Sequence, residues 1–256
     1  MSAIHVEFAD NPGGGRVATV CHDNADKLNV VDRDATEALG RAIRQAGESL
    51  GVRAVVLRGA GERAFIGGAD ISEMVDLTPE TARPFIGALH DACMAIRTAP
   101  VPVVARLAGY CLGAGLEIAA SCDLRVADAT AKLGMPEVRV GIPSVIEAAL
   151  LPRLVGWGRA ARLVYTGETI GAERAESWGL VDSLVPEGEL DDGIARTVNT
   201  ICRAGPTAIR LQKALLRDWE ELPLAEAIER SMDALAEGFA SGEARERMRA
   251  FLDRRR

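Results

Sequence analysis

The sequence predicts an α/β fold in which a layered body over residues 1–190 is followed by a C-terminal helical subdomain over 191–256. Three observations predict it. Short apolar runs of strand composition alternate with amphipathic helical patterns as far as about residue 190. Beyond that point only helical patterns occur. Glycine-containing stretches at 64–71 (AFIGGADI) and 109–119 (GYCLGAGLEIA) each follow an apolar strand.

Residues 4–8 and 17–21 have strand content, and the NPGGG of 11–15 supplies turn residues between them, so the chain opens on a hairpin. A helix follows: Asp34 with Glu37 three positions on has the form of a capping box, and Ala35, Leu39, Ile43, Ala46 and Leu50 share one face. Residues 53–57 (RAVVL) form a buried strand. Thr78 and Pro79 open a second helix that keeps Ala82, Phe85, Leu89, Cys93 and Ile96 at helical spacing, and 101–107 is the next strand. Helical patterns at 194–203, 207–219, 224–239 and 243–253 are punctuated by Pro206, Pro223 and Gly242. No repeat, low-complexity tract or Pro/Ser-rich linker separates the two parts, so the helices pack on the α/β body.

At 256 residues the chain is long enough for a self-sufficient core. Its 30 Lys and Arg against 37 Asp and Glu give a net charge of −7, which repels phosphate backbones and anionic membranes. Aromatics at 4% are too few for base-stacking platforms, so nucleic acid is not an expected partner. Cys21, Cys93, Cys111, Cys122 and Cys202 are odd in number, widely spaced and mostly set in apolar segments, the pattern of free thiols in a reducing compartment. No apolar run of membrane-spanning length and no signal-peptide pattern at MSAIHVEFAD is present, and the expected location is the cytoplasm.

Common motifs for phosphate loops, dinucleotide binding, nucleophile elbows and zinc proteases are absent. His5, His22 and His90 lie far apart and no CxxC occurs, so no metal site is expected. The small residues Gly113, Ala114 and Gly115 stand where an apolar helix begins, so unpaired backbone N–H groups there can face an anion or a polarised carbonyl; a tight turn for close packing is the other reading. Glu117 lies in the apolar run 112–120 and Glu137 in LGMPEVRVGIP (133–143), 20 positions on. A lone carboxylate in such a run is costly to bury. Either each pairs with an arginine such as Arg125 or Arg139, or the two serve proton transfer next to a carbonyl.

These segments resemble those of the enoyl-CoA hydratase/isomerase (crotonase) superfamily, and the resemblance runs from about residue 17 to the C-terminus. AFIGGADISEM resembles the loop that wraps coenzyme A, GYCLGAGLEIAASCD and LGMPEVRVGIP the two segments that carry the catalytic glutamates, and 162–186 and the final helix also follow the family pattern. The resemblance implies a crotonase-like ββα superhelix assembled as a homotrimer or a dimer of trimers. It implies that the Ala69 and Ala114 N–H groups form an oxyanion hole. Lys27, Leu28, Gly67, Gly68, Ala69, Asp70, Ile71 and Gly113 then surround the CoA, and Met74, Val145, Ile146 and Glu147 line the acyl pocket. The implied activity, in lipid metabolism, is hydration of a trans-2-enoyl-CoA to a 3-hydroxyacyl-CoA. Glu117 positions and deprotonates water and Glu137 protonates C2. CoA is part of the substrate, and no metal or redox cofactor is implied. Two alternatives remain: a Δ3,Δ2-enoyl-CoA isomerase that uses Glu137 alone, and an RNA-binding or scaffolding relative, against which the net charge argues.

Three positions depart from the family pattern. Ala114 replaces a glycine; Ser72 replaces a lysine found in many hydratases; and PSVIEAALL (143–151) replaces a glycine-rich stretch after the second glutamate. Ser144, Val145 and Ile146 stand where the dienoyl-CoA isomerase and dehalogenating branches carry an aspartate, so His90, near the base of the dehalogenating branch, reads as a helix-surface or core histidine. The 145–147 segment is expected to shorten the acyl pocket, with Glu147 meeting a polar chain end; the competing reading is a helix start with Glu147 in solvent. Six arginines between 245 and 256, against Glu246 and Asp253, are expected to help hold CoA.

Overall fold

Strand β1 (Ala3–Asp10) runs antiparallel to β2 (Arg16–Asp23) in the computed structural model, which describes residues 2–253; Ala3 faces Asp23 and Asp10 faces Arg16. Helix α1 (Arg33–Glu48) begins one residue before Asp34, because Asp32 is the residue with extended backbone (ψ 178) and its carboxylate accepts the Ala35 N–H at 2.7 Å. Asp34 instead sits in the first turn, where a negative charge suits the helix dipole, and Glu37 pairs with Arg33 and Arg41. Ala35, Leu39, Ile43 and Ala46 are buried as expected. Leu50 is not: the helix ends at Glu48, which takes Leu50 off the buried face and leaves it 92% exposed.

From here the chain repeats a unit. Strand β3 (Val52–Gly59) is followed by β4 (Ala64–Ile66), α2 (Ile71–Met74) and α3 (Pro79–Thr98); β5 (Val103–Leu107) by β6 (Tyr110–Leu112) and α4 (Ala114–Ser121); β7 (Leu124–Asp128) by β8 (Lys132–Gly134). Thr78 and Thr81 bond reciprocally at the start of α3, with Pro79 in the first turn, as the sequence foretells. The first strand of each unit enters a six-stranded sheet ordered β1-β2-β3-β5-β7-β10, where β10 is Ser183–Val185; the second enters a four-stranded sheet ordered β4-β6-β8-β9, where β9 is Thr169–Gly171. The β1–β2 and β8–β9 pairs are antiparallel and the rest parallel. Alternation of strands between two sheets with a helix to follow is the ββα superhelix.

The apolar continuity of RAVVL has a direct cause. Val55 and Leu57 face the main core shared with α1, α3 and the second sheet, while Ala54 and Val56 face a second core with Ile194, Val198 and Cys202 of α8 (Leu190–Arg203). Both faces of β3 are covered, so neither tolerates polar residues. Helices α5 (Leu151–Val155) and α6 (Trp157–Thr166) lead to β9, and α7 (Ala172–Trp178) leads from β9 to β10. Beyond α8, α9 (Pro206–Glu221) is tied to the body by Lys213, whose buried ammonium donates to Ile96 O, Val101 O and Asp123 Oδ2. Helix α10 (Leu224–Ala240) packs on α9, with Trp219 Nε1 donating to Ser231 Oγ at 2.9 Å, and α11 (Glu243–Asp253) follows. All five cysteines are free thiols. No helix among the described residues is long and apolar enough to cross a membrane.

One close approach joins the two layers at α4. A Cβ on Gly115 would stand 2.1 Å from Ile66 O, so only glycine lets the start of α4 lie against β4. Gly115→Ala is expected to lower unfolding free energy by about 3 kcal/mol through overpacking, whereas Gly238→Ala in α10, where the added methyl meets Leu211 at an ordinary 3.6 Å, raises it by about 0.5–1 kcal/mol. Urea titrations of both variants check the contrast.

Candidate active site

The site is built where β6 turns into α4. Gly113 makes the turn with φ 52 and ψ −120, its N–H donating to Gly134 O and its carbonyl accepting from Leu116 and Glu117. Ala114 is therefore the first helical residue, whose N–H has no acceptor within its own helix. On the facing loop, Val31 N donates to Gly68 O and Asp70 N to Val31 O, a parallel bridge that directs the Ala69 N–H to the opposite side. Neither the Ala69 nor the Ala114 N–H has an acceptor among the described residues.

The same turn brings the two glutamates together across 20 positions of sequence. Strand β6 pairs with β8, Leu112 beside Gly134, so the residues that leave the two strands emerge side by side. Glu117 sits in the first turn of α4, 4% exposed, with Oε1 accepting the Ala148 N–H at 3.3 Å. Glu137 opens the 3-10 turn Glu137–Val140, its Oε2 accepting from Ser144 Oγ at 2.9 Å. A Cβ on Gly113 would fall 2.5 Å from Glu137 Oε1, so glycine there also makes room for the second carboxylate. Burial first, then the charge of Glu137, pushes the Glu117 carboxyl up to about 8; burial also raises that of Glu137.

Neither carboxylate meets an arginine. Arg125 is committed to Asp182, at 2.8 Å, and to the carbonyls of Cys122 and Leu180, and Arg139 makes no ion pair among the described residues. The ion-pair reading of the two glutamates is therefore set aside. A buried and a half-buried carboxyl beside a pair of unengaged N–H groups are equipped for acid–base work at a carbonyl compound. No group of three His, Cys, Asp or Glu side chains among the described residues is placed to hold a metal ion.

The family model for enoyl-CoA hydratase/isomerase matches residues 13–256. The chain belongs to the enoyl-CoA hydratase/isomerase family. It is 33% identical over 243 residues to the short-chain-enoyl-CoA hydratase of Clostridium acetobutylicum, covering 94% of this chain and 93% of that protein. To the crotonyl-CoA hydratase of Syntrophomonas wolfei it is 32% identical over 242 residues, with the same coverage. The solved enoyl-CoA hydratase of Bacillus anthracis superposes with a TM-score of 0.91 at 30% identity, covering 98% of this chain and 96% of that one. Structures of this family thus share the crotonase fold described above.

The other sequence-predicted residues fall into two groups. Lys27, Leu28, Gly67, Gly68, Ala69, Asp70 and Ile71 come together: the Ala25–Lys27 turn is closed by Leu28 at φ 56, Gly67 N donates to Leu28 O at 2.9 Å, and Lys27 Nζ lies 3.7 Å from Asp70 Oδ2. Asp70 also caps α2 by accepting from Ser72 N and Oγ, so the serine steadies the loop but adds no charge to it. Met74, half-buried at the end of α2, belongs to this loop side. Arg254, Arg255 and Arg256 lie outside the described residues.

After Glu137 the chain enters the 143–151 segment. Val145 is 39% exposed and caps a 3-10 turn, Ile146–Leu150, in which Ile146 takes φ 39, an uncommon conformation for a β-branched residue. Glu147 turns inward, not to solvent: its side chain is 7% exposed and Oε1 accepts from His90 Nδ1 at 2.7 Å. His90, read from sequence as an uncommitted surface or core residue, is thus engaged with a buried carboxylate. Sequence carried a signal for this, since Glu147 interrupts the apolar run VIEAALL just as Glu117 interrupts its own. Ser144 as the partner of Glu137 had none.

Stability reports the raised pKa directly. The folded protein holds a Glu117 proton up to about pH 8, whereas the ordinary value is 4.5, so between these limits the unfolded chain binds fewer protons and stability falls as pH rises. The slope from one group is at most about 1.4 kcal/mol per pH unit. Glu117→Gln removes it: the melting temperature of the variant is expected to exceed that of the wild type by a margin that widens from pH 5 to pH 8. A margin constant with pH in calorimetric scans would show an unshifted carboxyl.

Proposed function

We propose that this chain hydrates trans-2-enoyl-CoA thioesters to 3-hydroxyacyl-CoA, with Glu117 directed at the attacking water and Glu137 at C2. The observation that carries the reading is a carboxyl pair in which burial, and at Glu117 also the charge of Glu137, favours the protonated form, set beside the unengaged N–H groups of Ala69 and Ala114. Polarisation of the thioester oxygen by the two N–H groups makes C3 electrophilic and stabilises the enolate formed when water oxygen adds there. One carboxylate takes the proton released by the water and the other carboxylic acid gives one to C2. The pair therefore needs a single proton between its members. Burial favours the protonated form of both carboxyls, and the working form of the pair is the one in which Glu117 is the carboxylate and Glu137 the acid. The chemistry is acid–base and redox-neutral and calls on no metal or redox cofactor.

The names of the Clostridium and Syntrophomonas relatives support short-chain enoyl-CoA as the substrate class. Residues 27–28 and 67–71 wrap the CoA in this reading, and Gly113 admits the thioester beside Glu137. Exposed apolar side chains on the C-terminal helices, among them Trp219, Leu224, Ile228, Met232 and Leu235, support a homotrimer or a dimer of trimers, since contiguous apolar surface marks an interface. Free thiols at all five cysteines support a cytoplasmic location. Light scattering on the eluting peak is expected to give three or six times the 27.1 kDa chain mass.

Crotonyl-CoA turnover tests the reaction. Glu117→Gln and Glu137→Gln are each expected to lower kcat by roughly a hundredfold or more. In the wild type, kcat/KM is expected to fall above about pH 8 as the pair loses its proton, and the residual activity of Glu117→Gln to lack that limb. Full hydration by Glu117→Gln, together with faster conversion of 3-enoyl-CoA than of 2-enoyl-CoA, would instead identify an isomerase that works through Glu137 alone.

A further inference from the structure

The hydratase reading uses two of three carboxylates that converge on the end of α4. The third, Glu147, lies one residue from Ala148, whose N–H bonds Glu117 Oε1, and its charge acts on the Glu117 carboxyl. Glu147 is held on one side only. Oε1 is fixed by His90 Nδ1 at 2.7 Å, while Oε2 is shut off from solvent and has no hydrogen-bond partner. A buried carboxylate oxygen without a partner is costly, and the fold could have avoided the cost by letting this glutamate reach solvent from its exposed neighbours Val145 and Ala149. It does the opposite: Ile146 adopts φ 39 and the following side chain is delivered inward against a half-exposed histidine. Backbone strain kept beside an unsatisfied acceptor marks a site poised for a ligand group.

The ligand group follows from the chemistry of that oxygen. A carboxylate oxygen accepts and cannot donate unless protonated, so the missing partner is a hydrogen-bond donor. One oxygen is already engaged by His90, which leaves a single acceptor shut off from water, where one compact neutral donor on an otherwise apolar chain is cheaper to bury than a cation. We infer that Glu147, positioned by His90, recognises a hydroxyl on the acyl chain, so that the preferred substrates of this enzyme are hydroxylated short-chain acyl-CoA thioesters. The inference rests on the hydratase reading and on the expected placement of residues 145–147 along the acyl group. It extends the hydratase reading from a substrate class to a substituent.

Selectivity is expected to be large, because a site built to bond a hydroxyl rejects the analogue that leaves its buried acceptor unpaired. Two measurements separate this inference from the hydratase reading. The first is affinity for saturated, unreactive thioesters, by calorimetry: 4-hydroxybutyryl-CoA and 5-hydroxypentanoyl-CoA against butyryl-CoA and pentanoyl-CoA. The wild type is expected to bind at least one hydroxylated member of a pair tenfold or more tightly than its partner, Glu147→Leu to lose the preference, and Glu147→Gln, which keeps an acceptor oxygen, to retain part of it. The second is kcat/KM for the matching 2-enoyl-CoA pairs, where the wild type is expected to show the same preference. Circular dichroism confirms that each variant folds, and His90→Gln supplies an independent variant, expected to reduce the preference by releasing Glu147. Equal affinities within both pairs for the wild type would overturn the inference, with Glu147 Oε2 serving a trapped water, even if crotonyl-CoA were hydrated well. A hydroxyl preference in binding with no turnover of any 2-enoyl-CoA would leave the inference standing and overturn the hydratase reading.

Discussion

Everything in the site hangs on how closely the start of α4 can approach the strands around it. Ile66 O lies where a Cβ of Gly115 would be, and Glu137 Oε1 lies where a Cβ of Gly113 would be. Two glycines thus let one short helix touch both the loop side and the second glutamate. The first turn of that helix then does three things by geometry alone: it offers the Ala114 N–H, aims Glu117 inward and shares a wall with Glu137. Ala114, between the two glycines, adds a methyl without filling either contact, which is why a side chain is tolerated there.

Closeness of the carboxyls has an electrostatic consequence. Two acids removed from water and set near each other cannot both be charged without a large penalty, so the pair keeps a proton into the neutral range. An arginine would have relieved the penalty and abolished the chemistry, since it would hold both groups as carboxylates. The fold keeps its arginines elsewhere: Arg125 on Asp182, Arg106 between Glu62 and Asp191, Arg97 on Glu220 and Glu221. The Arg106 pair ties α8 to the sheet and the Arg97 pairs tie α9 to α3, while the glutamates are left a low-dielectric pocket. Stability is lost locally at Glu117 and carried by the two apolar cores, whose strands are buried on both faces.

Much of this was legible in the chain. Strands with both faces covered read as unbroken apolar runs, the Thr78 cap reads from its chemistry, and the site segments read from glycine and glutamate placed in apolar runs. What escaped was decided by contacts between distant residues. Asp32 and Asp34 are equally good caps by type; the extended backbone of Asp32 settles the matter, and the bridge from Val31 to Ala69 sets the chain just before it. Leu50 fits the helical period but lies past the end of the helix. His90 and Glu147 are 57 positions apart and neither names the other; only the packing of α3 beside the 146–150 turn brings them to 2.7 Å.

Glu117 and Glu147 gave the same sequence signal and lead to different chemistry, and the difference lies in what each one touches. Glu117 accepts from a backbone N–H and faces a second carboxyl, so its proton is exchangeable within the pair. Glu147 accepts from an imidazole that reaches solvent, so its orientation, more than its proton, is what the structure fixes. The proposed oxyanion and CoA side of the site is made largely of backbone: Ala69, Ala114, Gly67 and Leu28 present N–H and C=O groups there that substitution hardly alters. The proposed acyl side is made of side chains on 143–151, a segment tied to the glutamates by the Ser144 bond to Glu137 and the Ala148 bond to Glu117, and to α3 by the bond between His90 and Glu147. Residues 145–147 lie between those two anchors, and through the charge of Glu147 on the Glu117 carboxyl the segment stays coupled to the proposed reacting groups.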